Sequence, residues 1–196
     1  MGKIICLMGK SSSGKDTIFR KLLEEGTLGL KTIVPYTTRP IRTGETHGID
    51  YYYTDEAGYQ HLVEADRIIE ERSYLTMYGL WRYFTVADDT LELETNSYCM
   101  IGTLEAYVNI KKYFGPEKVL PVYIEIDDGV RLQRALNRER SQKEPKYEEM
   151  CRRFLADCQD FSEEKIREAG ITVRFQNESL DICLGNIVQY IHDNNE

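Results

Sequence analysis

Apolar residues recur along this 196-residue chain in two alternating rhythms. KIICLM, residues 3 to 8, is a continuous β-branched and apolar run that stops at Gly9 and predicts a strand. TIFRKLLEE, beyond the glycine loop, spaces Ile18, Leu22 and Leu23 as one face of a helix. KTIVPYTTR predicts a short strand interrupted at Pro35, which belongs at an edge or a strand end because proline has no N–H for a ladder. A polar, glycine-punctuated segment, TGETHGID, leads to the aromatic strand candidate YYYT. EAGYQHLVEAD then reads as a helix, RIIEERSYLTMYG alternates like a strand pair, and WRYFTVADD continues the β pattern.

The β elements are therefore sequential in this middle stretch, whereas strand–helix–strand order returns from SYCMIGT through LEAYVNIKKYFG to VLPVYIEID. That order is what a parallel sheet requires. Residues 129–168 read as a long, highly charged helical region, ITVRFQN as a last strand, and LDICLGNIVQYIHD as a last helix. No internal repeat or low-complexity tract interrupts the series.

A hydrophobic content of 41% over this length fits one globular domain with excursions from it. The formal charge of −8 argues against a broad surface for a nucleic-acid polymer, while leaving local arginine clusters open. No stretch reaches the roughly 18 apolar residues of a membrane span, and IICLM is too short for a signal-peptide core, so a cytoplasmic protein without membrane attachment is expected. Cys6, Cys99, Cys151, Cys158 and Cys183 form no C-x-x-C pair and are odd in number, which predicts reduced thiols rather than a disulfide framework or a zinc site.

Chemistry enters at MGKSSSGKDT, residues 8 to 17. Gly9, Gly14 and Lys15 meet the G-x-x-x-x-G-K core of a P-loop, between the strand and helix that such a loop requires. Its amides and the helix N-terminus would cradle the phosphates of ATP along Gly9, Lys10, Ser11, Ser12, Ser13, Gly14, Lys15, Asp16 and Thr17. Lys15 would follow charge on the β and γ phosphates. In isolation the same letters also describe a serine-rich turn before a helix. Asp16 stands where Ser or Thr ordinarily meets Mg²⁺; a carboxylate there is either a hard ligand for Mg²⁺ or an acid favoured by the helix dipole.

Arg39 and Arg42 lie three apart in YTTRPIRTGETHGIDYYY, followed nine residues later by Tyr51. An arginine pair on an irregular segment suits a phosphate dianion, and equally suits two solvated charges. T-T-R-x-x-R-x-G-E-x-x-G-x-D-Y after a P-loop resembles the guanylate kinase signature, with Arg39, Arg42, Gly44, Glu45, Gly48, Asp50 and Tyr51 all on it. The resemblance implies an α/β fold: a P-loop NTPase three-layer α/β/α core with a parallel sheet, a small mixed β/α insert that binds the nucleoside monophosphate, and a helical lid. On that basis residues 1–196 form one domain, with core 1–33, 96–130 and 155–196, insert 34–95 and lid 131–154.

The resemblance further implies ATP as co-substrate, Mg²⁺ as cofactor, GMP or dGMP as acceptor, and a monomer or homodimer. Arg39, Arg42 and Tyr51 inherit the acceptor phosphate, and Glu70 the guanine N1 and N2 donors, with Glu71 beside it a surface acid. Tyr83-Phe84-Thr85 stands for the family's Tyr-Gly-Ser/Thr, so Tyr83 would touch the phosphate and Thr85 the base. In the lid, Arg134 and Arg138 share a helix face at i, i+4, and Arg153 fits the third position ahead of Arg152. Glu139, Glu144, Glu148 and Glu149 could instead pair with these arginines on a solvated helix. Asn177 matches an asparagine near the adenine end, or caps the last helix. Pro35 replaces a base-reading serine, and Gly102-Thr103 replace an acidic residue near the metal's water shell, which makes Asp16 its candidate substitute. A kinase for another nucleoside monophosphate and a non-catalytic protein-binding module of the same fold are the alternatives.

Overall fold

The computed structural model describes residues 2–42, 44–76, 79–87 and 91–194. In chain order, β1 (Ile4–Met8) and α1 (Lys15–Glu24) are followed by β2 (Lys31–Thr32), β3 (Tyr36–Thr37), β4 (Tyr52–Tyr53) and α2 (Glu56–Glu64). Next come β5 (Ile68–Thr76), β6 (Gly79–Val86), β7 (Tyr98–Ile101), α3 (Leu104–Phe114) and β8 (Val119–Glu125). The chain closes with α4 (Asp128–Arg140), α5 (Tyr147–Asp160), α6 (Glu163–Glu168), β9 (Arg174–Gln176) and α7 (Leu180–Asn194).

β1 is buried at every position because it lies in the middle of a parallel sheet ordered β2-β7-β1-β8-β9. Ile4, Cys6 and Met8 face a layer built from Tyr107 and Ile110 of α3 and Ile166 of α6. Ile5 and Leu7 face Ile18 and Leu22 of α1 and Ile187 and Ile191 of α7. The core is thus helix, sheet, helix, and the loop after β1 opens at the carboxyl end of a strand with neighbours on both sides. Ligands collect at that crevice in open α/β sheets.

A second sheet, ordered β4-β3-β6-β5, holds the sequential β elements. Pro35 falls between β2 in the first sheet and β3 in the second, so it ends one strand rather than interrupting it. RIIEERSYLTMYG is not a strand pair: residues 68–76 form the single strand β5, whose partner β6 begins at Gly79. Alternation runs unbroken through Arg72, Ser73 and Tyr74, with no turn residue to fold it back. Residues 77–78, like Asp88 and Asp89 of WRYFTVADD, lie outside the described residues.

The charged region 129–168 is helical, in three pieces. It divides into α4, α5 and α6, because Pro145 has no N–H to continue a helix and buried Glu139 accepts the Lys146 N–H at 3.0 Å across the break. The last strand shortens to Arg174–Gln176, the three residues that pair with Tyr123, Ile124 and Glu125. All five cysteines are free thiols, and burial pushes the Cys6 thiol up to about 12 and that of Cys183 up to about 11, which leaves both inert.

Candidate functional site

The loop from Gly9 to Thr17 is held against the core by close backbone approach. A Cβ at Gly9 would meet the Ile124 carbonyl oxygen at 2.5 Å. At Gly14, where φ is 95°, one would meet Asn177 Nδ2 at 2.3 Å. Ser12 adopts φ 64°, a left-handed conformation that costs a non-glycine residue about 1 kcal/mol or more and is characteristic of functional turns. Asn177 is buried and its amide donates to the Ser13 carbonyl at 2.7 Å, fixing the loop to the end of β9. Lys15 Nζ lies 3.8 Å from Asp16, whose side chain is largely exposed.

Donors are left over inside this loop. Among the described residues three buried side-chain polar atoms have no hydrogen-bond partner: Ser12 Oγ, Ser13 Oγ and Arg39 Nε. Two sit in the loop that the sequence marks for one phosphate chain, and the third belongs to the arginine marked for another. An unpartnered buried donor costs about 1–3 kcal/mol, so such groups concentrate where a ligand completes them.

Arg39 is buried and built into a carboxylate network. Its Nη1 and Nη2 donate to Glu45 at 3.0 and 2.9 Å, and Glu45 also accepts the Arg42 N–H and the Tyr53 hydroxyl, both at 2.8 Å. The Arg39 hydrogen bonds, with those from Arg42 and Tyr53, hold the Glu45 carboxyl down at about 2 despite its partial desolvation. The guanidinium of Arg39 stands 5.5 Å over the Tyr51 ring, and Tyr51 contacts Tyr83 edge-on at 5.8 Å. Burial raises the Tyr51 hydroxyl above its ordinary value, keeping it a neutral donor.

The β5–β6 register sets Glu70 opposite Thr85 and Arg72 opposite Tyr83. Glu70 is buried and accepts Thr85 Oγ1 at 2.8 Å and Arg72 Nε at 3.1 Å. Phe84, at the family's glycine position, points away and packs between Tyr36 and Tyr59. Glu71 is not a plain surface acid: it bonds the Tyr59 hydroxyl, Ser73 and Arg82 on the opposite face of the sheet. Pro35 offers only its carbonyl, which accepts the Tyr52 N–H at 2.9 Å. Thr103 caps α3 by accepting the Ala106 N–H.

α4 and α5 bring further arginines to the loop. Arg42, Arg138 and Arg153 share one cavity with Ser11 and Ser12, and Arg153 Nη2 lies 3.4 Å from Ser11 Oγ. Arg134 and Arg138 line a second cavity with Gly14, Asp16, Thr17 and Asn177, and Arg134 Nη2 is 3.4 Å from the Asn177 carbonyl. Of the carboxylates that could have neutralised these arginines, Glu149 takes Arg152 and Glu139 closes the α4–α5 turn. Arg134, Arg138 and Arg153 form no ion pair among the described residues.

Sequence reasoning passed over Arg131 and Asp157. Arg131 is 1% exposed, pairs with Asp128 and Asp157 at 3.0 and 3.2 Å, and stacks on Phe154. Asp157 accepts the Ser11 N–H at 2.8 Å, while Lys10 reaches Asp128 at 3.2 Å, so α4 and α5 are both tied to the phosphate loop. Both residues sit in a run of alternating charges, where nothing in the local pattern distinguishes a buried arginine from a solvated one.

A family model described as guanylate kinase matches residues 1–193. A curated guanylate kinase of Syntrophomonas wolfei is 35% identical over 86 residues, a stretch that covers 43% of this chain and 44% of that relative. The match therefore spans under half of the relative's length. Among solved structures, the guanylate kinase of Anaplasma phagocytophilum superposes with a TM-score of 0.66 at 21% identity, covering 98% of this chain and 85% of that one, which shows a shared fold.

Proposed function

The chain belongs to the guanylate kinase family, and from that premise we propose that it transfers the γ-phosphoryl group of ATP to GMP or dGMP, giving ADP and the nucleoside diphosphate. One observation carries the reading: the unpartnered buried donors fall at two phosphate sites, Ser12 and Ser13 in the loop and Arg39 across from it. A module that binds only peptides has no use for that arrangement.

The acceptor phosphate is already a nucleophile near neutral pH, so transfer needs no covalent intermediate or general base. Arg39, Arg42, Tyr51 and Tyr83 aim it, Glu70 and Thr85 read its base, and insert 34–95 carries all six. Lys15 tracks charge on the donor phosphates, and Arg134, Arg138 and Arg153 of lid 131–154 stabilise charge spread over the group in flight and exclude water. Asn177 keeps Ser13 and Gly14 in place.

Asp16 and Thr17 are the side-chain oxygens at the exit of the loop that fit Mg²⁺, and among the described residues no three His, Cys, Asp or Glu cluster into a cage. The ion's other ligands would then be phosphate oxygens and water. Mg²⁺ held there would supply positive charge to offset that of the donor phosphates.

A second reading, phosphorylation of another nucleoside monophosphate, draws on Pro35 and on a Glu70 side chain with no exposed surface. ADP release measured across AMP, GMP, dGMP, CMP, UMP and dTMP separates the two. Guanine nucleotides should exceed the rest by roughly 10⁴-fold in kcat/KM, as expected of a site that hydrogen-bonds its substrate's donors. Another preferred base would replace the acceptor, and turnover with none would leave the protein-binding module.

A further inference from the structure

Glu70 is the residue on which base reading would turn, and its carboxylate is already engaged. Along β5, Glu70, Arg72 and Tyr74 share one face of the strand, opposite Thr85, Tyr83 and Trp81 of β6. Arg72 Nε donates to Glu70 Oε2 at 3.1 Å and Nη2 approaches Oε1 at 3.4 Å, a side-on fork that takes both oxygens. Thr85 Oγ1 donates to Oε1 from the neighbouring strand at 2.8 Å. The Glu70 side chain is fully enclosed and that of Arg72 is 16% exposed.

A guanidinium and the N1–H/N2–H edge of guanine are the same recognition element: two adjacent, coplanar N–H donors that meet a carboxylate side-on. Both require the same edge of Glu70. We propose that Arg72 is a specificity-determining residue, an internal guanine mimic that occupies the Glu70 carboxylate in the free protein and that the incoming base must displace. The proposal rests on the reading above that Glu70 receives the base.

Displacement exchanges one forked pair for another, so a base with two adjacent donors replaces what it removes. Adenine and cytosine cannot, and would leave a buried carboxylate short of partners. The cost falls on acceptor affinity rather than on the chemical step, because Arg72 contacts neither the phosphate loop nor the lid arginines in any hydrogen bond or ion pair of the described residues. Among the described residues its side chain hydrogen-bonds Glu70 alone.

Calorimetric titration of the full chain with GMP, and with CMP as a ligand that does not use the carboxylate edge, tests this. Arg72→Gln keeps one amide donor for Glu70 but loses the fork, and should bind GMP about tenfold more tightly than the unaltered protein with CMP affinity unchanged. GMP affinity that is unchanged or weaker in Arg72→Gln overturns the proposal. Should Arg72→Gln fail to fold, Arg72→Lys decides: it keeps the charge beside Glu70 but cannot form the fork, so GMP should bind several-fold more tightly than to the unaltered protein, and unchanged or weaker GMP affinity overturns the proposal. GMP binding to neither protein would overturn the acceptor site itself, and this proposal with it.

Discussion

Glu45 holds the guanidinium of Arg39, the group proposed to meet the acceptor phosphate. By taking two of the guanidinium nitrogens and the Arg42 N–H, it fixes both arginines' positions and leaves the buried Arg39 Nε without a hydrogen-bond partner. Its folded pKa lies at about 2, below the ordinary 4.5, so the unfolded chain binds more protons in between. Glu45 therefore contributes stability that is present above pH 4.5 and lost as pH falls toward about 2. Urea midpoints should fall more steeply across that window for the unaltered protein than for Glu45→Gln; parallel curves would show that the pair does not hold the segment. Glu56 is also held low by Arg82 and Gln60, and, despite partial desolvation, Glu71 by Ser73, Tyr59 and Arg82 and Asp128 by Arg131 and Lys10, but all three titrate in both proteins and cancel. Gly14, Lys15, Arg39 and Arg42 were legible because each motif position answers to local backbone or charge chemistry. Arg72 was not, because its meaning depends on which face of β5 it shares with Glu70, and Glu71 was misread for the same reason.

Among the elements, α4 and α5 act as a pair through a buried charge. Arg131 is enclosed and its partner Asp157 also accepts an amide of the phosphate loop, so one carboxylate joins three segments. Asp157→Ala leaves a buried guanidinium with Asp128 alone and frees the Ser11 N–H, and should cost about 2–4 kcal/mol in urea unfolding. Removing the exposed Arg152–Glu149 pair by Arg152→Ala should cost under about 0.5 kcal/mol. Equal losses would mean that Arg131 is not fixed by Asp157. The helical character of this region was evident from its composition, and Pro145 carried the signal for its break. What the pattern could not distinguish was inside from outside, since Arg131, Arg134 and Arg138 look alike until the sheet beneath them is in place. The short strands β2, β3 and β4 were legible only as β-prone runs, because two-residue strands are set by their partners rather than by periodicity.

At the scale of the molecule, the two sheets have different tasks. The parallel sheet presents the phosphate loop at the carboxyl end of its central strand, and the mixed sheet presents Arg39, Tyr51, Glu70 and Tyr83 from a separate frame. Arg42 and the α4–α5 arginines line one cavity with Ser11 and Ser12. That two nucleotides are drawn phosphate to phosphate into this one groove is the claim on which the mechanism depends. It is tested most directly by calorimetry with adenosine and guanosine joined 5′ to 5′ through a chain of phosphates, compared with ATP and GMP alone. A single groove predicts that the linked compound binds roughly 10²-fold or more tightly than either nucleotide, because the second site is engaged at high effective concentration. An affinity no better than that of ATP alone would contradict it.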